Sequence, residues 1–146
     1  GLLVTNIVYS HSVLDAIPDA KMGQKTMAHL MGSKRGQIVL SALINFIPYL
    51  MVIVAVALGQ LHVAYLAVLA IIPASKWLVE SLDDHVNERE VELEPKRWMG
   101  PMGEWEKYKE AGVAWFLLRW LTARNIVTRF CLIIIVVNLI LGFIYA

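Results

Sequence analysis

Asp15 and Asp19 stand four residues apart, and Lys21 and Lys25 repeat that spacing just behind them. In a helix each pair falls on one face, one turn apart. Two carboxylates on one face offer oxygen donors to a hard divalent cation. Magnesium takes one or two protein carboxylates and completes its shell with water and substrate phosphates. A bare carboxylate pair repels an anion, but carboxylates with a bound cation and two nearby ammonium groups can hold a diphosphate. Gly23 allows a turn or a close approach of the chain there. The plainer alternative is a juxtamembrane segment of mixed charge that touches only lipid headgroups. The D-x-x-x-D spacing alone does not choose between the two.

The elements that carry these residues are written in the charge distribution. The chain has 146 residues, 58% of them hydrophobic and 17% charged, with a mean hydropathy of +0.61. A soluble domain averages about 45–50% apolar and about 25% charged, so the composition points to an all-α membrane protein. A net charge of +1 excludes a nucleic-acid partner, and the apolar content excludes disorder. Cys131 stands alone, so no intrachain disulfide is possible. Residues 1–14, 37–75 and 130–146 carry no charge. These stretches predict membrane spans over about 37–59, 62–82 and 125–146. Residues 1–14 give only about 21 Å of helix and read as the end of a partial span. They lack the basic leading region and cleavage site of a signal peptide. Pro48 and Pro73 are expected to kink their helices.

Basic residues set the expected topology. Segment 15–36 holds four Lys/Arg and segment 83–124 holds seven, whereas the turn at 59–62 holds none. Two spans separate the basic segments, so both lie on one side, which the positive-inside rule makes cytoplasmic. The expected arrangement is a multi-pass bundle in the cell membrane, with the Asp-rich segment 15–36 and a long loop 83–124 facing the cytoplasm. Within that loop, Glu88, Glu90, Glu92 and Glu94 form an acidic run. Trp98-Met99-Gly100-Pro101-Met102-Gly103 breaks helix. From Glu104 the spacing predicts an interfacial helix with Trp105, Tyr108, Gly112 and Trp115 on one face. Asp83, Asp84 and His85 do not share a face, so they read as a solvated helix end rather than a metal cluster.

The pattern Tyr9…Asp15-x-x-x-Asp19-x-x-x-Gly23-x-Lys25-Thr26…Gly32 resembles the second aspartate-rich motif of the UbiA superfamily of intramembrane aromatic prenyltransferases. The stretch from Trp98-Met99-Gly100-Pro101-Met102 through Arg119-Trp120 and Ala123-Arg124-Asn125 is similar to the tail of some menaquinone-type members. The resemblance implies a polytopic helical bundle corresponding to the C-terminal half of a nine-helix fold. It also implies magnesium-dependent transfer of an isoprenoid from its diphosphate to an aromatic or other lipophilic acceptor. Carried over, Asp15 and Asp19 would be the catalytic metal ligands, and Lys21 and Lys25 the diphosphate contacts.

Two departures accompany the resemblance. Ala16-Ile17-Pro18 replaces the usual charged or polar residues inside the motif, and the family's first motif, of the N-D-x-x-D kind, is missing from these residues. With Gly1 in place of Met, this leads us to expect about half of a larger enzyme, whose partner would be the missing N-terminal half. The competing expectation is a non-enzymatic subunit of a larger membrane complex that binds a lipid or quinone. A transporter fragment is a weaker third, since no intramembrane charge marks an ion path.

Overall fold

The computed structural model describes residues 1–89 and 93–145. Glu90 and Glu92 of the acidic run, and Ala146, lie outside them. The described residues are helical, with no strand among them. The helices are α1 (Leu2–Lys21), α2 (Met27–Leu30), α3 (Lys34–Ala57), α4 (Ile72–Val86), α5 (Trp105–Glu110) and α6 (Ala114–Tyr145). Short 3₁₀ segments cover Val63–Ile71 and Arg97–Met99. Three helical stretches are long and apolar enough to cross a membrane: Lys34–Ala57, Val63–Val86 and Ala114–Tyr145, with hydropathies of 2.4, 1.6 and 2.5.

These extents differ from the expected ones for local reasons. The helix expected to end near residue 14 continues as α1 to Lys21, so Asp15 and Asp19 sit on it rather than in a following segment. Its end is a Schellman turn: Gln24 N–H reaches Asp19 O at 2.9 Å and Gly23 N–H reaches Ala20 O at 3.2 Å. Gly23 takes the left-handed conformation that this turn requires, with φ 73°. The single interfacial helix expected from Glu104 is instead the six-residue α5, and the chain turns at Gly112 before α6 begins. Trp115 therefore belongs to α6 and not to the face of Trp105 and Tyr108. The last helix starts at Ala114, well before the expected start near 125.

The prolines act differently from each other. Pro48 is buried inside α3, which remains one helix. Pro73 opens α4, and the residues before it run as 3₁₀ rather than α. Pro73 has no N–H to give Leu69 O, and its ring crowds that carbonyl. Leu69 O is taken instead by Ile72 N–H, the tighter i→i+3 pattern.

α1 packs between α3 and α6, and α4 packs on α3 and α6. The main core runs through Tyr9, Leu14, Ile44, Tyr49, Val68, Leu78, Leu82 and Ile126. Several polar groups cross it in hydrogen-bonded pairs, while the Ser41 hydroxyl is buried with no partner among the described residues. Asn6 and Asn45 exchange two side-chain hydrogen bonds of 2.9 Å, and Asn45 also donates to Ser41 O at 2.9 Å. Tyr49 and Ser75 meet at 2.7 Å, and Tyr65 donates to Asn138 at 2.9 Å.

A second cluster of Met99, Met102, Leu118 and Leu121 docks the Trp98–Gly103 loop on α6. Asn125 donates to Met99 O and Pro101 O at 3.1 and 2.9 Å, and Arg129 donates to Trp98 O. Gly100 fits because a Cβ there would stand 2.7 Å from Asn125 Nδ2. α5 is tied back by Lys109, 3.0 Å from Glu94, whose hydrogen bond raises the lysine above its ordinary pKa.

Candidate functional site

Residues 7, 8, 11, 12, 15 and 19 follow one another at helical spacing and form one face of α1. That face is the floor of a groove of about 440 Å³. Thr26 and Met27 of the α2 turn form one wall, and Trp120 of α6 forms the other. The turn is held over the floor because Ala28 N–H donates to Ser12 Oγ at 2.9 Å. Asp15 and Asp19 both line this groove, as the spacing predicts. Much of the remaining lining is apolar, from Ile7, Val8, Met27 and Trp120.

The sequence reading missed His11, one turn before Asp15. Its Nδ1–H donates to Asp15 Oδ2 at 2.6 Å, and its ring packs edge-on against Phe116, with centroids 5.2 Å apart. The i, i+4 repeat 11–15–19 was the available signal.

Lys21 and Lys25 are not gathered around the carboxylates. Lys21 lies two residues beyond Asp19, about 200° around the helix, and it lines a different cavity with His29 and Lys34. Lys25 is exposed in the turn after α1 and lines neither space.

Pro18 explains how a helix tolerates the departure inside the motif. Proline leaves Leu14 O without its intrahelical donor. His85 Nε2–H supplies one at 3.2 Å, and the His85 ring stacks on Trp115 with centroids 5.3 Å apart. His85 is thus a partly buried bridge between α4 and α1, which corrects the reading of Asp83, Asp84 and His85 as a solvated helix end. Asp83 and Asp84 both accept from Arg89 at 3.0 Å.

The donor set can be tested against magnesium. Asp15 and Asp19 offer only oxygen ligands, and among the described residues Asp19 has no cationic partner. No group of three or more His, Cys, Asp or Glu converges among the described residues. Magnesium does not require one, because water and phosphate fill most of its octahedron. The pair therefore fits a cation held from one side and open to the groove. Comparison of the chain with protein-family models, with characterised proteins and with solved structures returned no match.

Proposed function

We propose that this chain supplies one half of a magnesium-dependent, UbiA-type prenyl-transfer site at the cytoplasmic face of the cell membrane. The first aspartate-rich motif, of the N-D-x-x-D kind, would come from an N-terminal half or a partner chain. The observation that carries the reading is the placement of Asp15 and Asp19 on one helix face, at the floor of a groove with largely apolar walls. That combination suits a substrate with a diphosphate head and an isoprenoid tail.

Asp15 and Asp19 would hold magnesium, which when bound would supply positive charge beside the diphosphate. His11 fixes the rotamer of Asp15 through its 2.6 Å hydrogen bond. Ile7, Val8, Met27 and Trp120 would take the isoprenoid tail. Lys25, one residue before the groove-lining Thr26, is the proposed diphosphate contact, whereas Lys21 lines the other cavity. The allylic C–O bond breaks as diphosphate leaves, and the lipophilic acceptor forms the new bond and loses a proton.

The test is transfer from a labelled isoprenyl diphosphate to a lipophilic aromatic acceptor. Membranes for the assay carry the chain together with the sequence that bears the first motif. Product should vanish with chelator and return with magnesium. Transfer unaffected by chelation overturns the reading. An absence of transfer, with the chain retained in a larger complex, supports the non-enzymatic subunit instead.

His11→Ala should weaken manganese binding about 10- to 100-fold, the usual cost of losing a hydrogen-bond partner to a metal ligand. Paramagnetic titration of the purified chain measures it. His11→Asn, which keeps a donor near the Nδ1 position, should recover most of the loss.

A further inference from the structure

Residues 13, 16, 17, 20 and 21 of α1 repeat at helical spacing on the side opposite the aspartate groove. They line a cavity of about 380 Å³ closed by α3, α4 and the α2 turn. Val13, Ala16 and Val86 make it apolar inside. Lys21, Lys34 and His29 line it too, and no acidic side chain among the described residues does. Neither lysine pairs with a carboxylate among the described residues. His29 Nδ1 accepts the Thr26 N–H at 3.0 Å, so the neutral ring carries its proton on Nε2 and remains a donor.

We infer that this cavity binds one anionic phospholipid. Its phosphate sits between Lys21 and Lys34, and an acyl chain lies against Ala16, Ile17 and Ala20. The position matches the chemistry. Lys21 closes α1 and Lys34 opens α3, a candidate membrane span, so both cations stand at helix ends beside one cavity. Basic pockets between membrane helices hold lipid phosphates in this way. A free phosphate would satisfy the lysines but would leave the apolar interior unfilled. The inference does not depend on the aspartate groove or on prenyl transfer.

The test is native mass spectrometry of the purified full chain, with dioleoyl phosphatidylglycerol or dioleoyl phosphatidylcholine added. The phosphatidylglycerol adduct should be retained and the phosphatidylcholine adduct lost. Lys21→Gln with Lys34→Gln should lower retention about thirtyfold, from roughly fivefold per lysine near a headgroup. Ala20→Trp keeps both cations but fills the cavity, and should lower retention as strongly. Arg35→Gln removes a nearby charge outside the cavity and should leave phosphatidylglycerol retention unchanged. Equal loss in Arg35→Gln would show attraction to the basic surface alone, and full retention in Ala20→Trp would show that the cavity is not used. Either result overturns the inference, as does displacement of the lipid by millimolar inorganic phosphate. Helix content by circular dichroism checks that each variant is folded.

Discussion

Asp15→Asn and Asp19→Asn should each lower magnesium-dependent prenyl transfer by about two to three orders of magnitude. A metal's stabilisation of transition-state charge is worth several kcal/mol, and each ~1.4 kcal/mol is a factor of ten in rate. The change is nearly isosteric, so the helix and groove should persist. Neither aspartate belongs to the buried core, and the Asp15 side chain is 30% exposed. The kinetic pattern is as informative as the size. A lost metal ligand raises the magnesium concentration needed for half-maximal rate, and excess metal restores part of the activity. A residue that only shapes the groove would instead change the isoprenoid KM and leave the metal requirement alone. Full activity in both single variants would falsify the site assignment.

Asn6→Ala or Asn45→Ala should each destabilise the bundle by about 1–3 kcal/mol, the cost of orphaning a buried polar partner. A single interhelical hydrogen bond in a membrane protein averages only about 0.6 kcal/mol. The larger figure applies here because the amides exchange two bonds and Asn45 makes a third to Ser41 O. Removing either amide leaves the other at 1% exposure or less, away from water. Asn6→Ala with Asn45→Ala should cost clearly less than the sum, because neither amide then outlives its partner, although Ser10 Oγ loses its 3.3 Å bond to Asn6 Oδ1. Unfolding in mixed micelles with increasing dodecyl sulfate measures all three variants. Strict additivity would show that the two amides do not act as a pair.

Charge-free runs made the three apolar helices legible from residue order alone, and helical spacing put Asp15 and Asp19 on one face. The start of α6 was not legible, because a charge count treats arginine as a marker of water. Arg119 is 3% exposed, and it meets its needs on backbone carbonyls, donating to Ser81 O at 3.0 Å and Trp115 O at 2.8 Å. The helix therefore passes through a charge that the count assigned to a loop. Lys21 was grouped with the aspartates by nearness in the chain, although two helical residues differ by about 200° and face apart. His85 could not have been placed from sequence. Its role depends on the acceptor that Pro18 frees one turn back in α1, on a helix distant in the chain.

The 3₁₀ stretch before Pro73 also changes how far its span reaches. A 3₁₀ residue advances about 2.0 Å and an α residue about 1.5 Å. The nine residues Val63–Ile71 therefore gain roughly 4–5 Å over the same residues in α-helix. With α4 added, the stretch Val63–Val86 extends about 40 Å, against a hydrocarbon core of about 30 Å. A proline at the start of α4 thus buys almost one extra helical turn of reach without a single added residue. Asp83 and Asp84 stand in the last turn of that stretch and pair with Arg89.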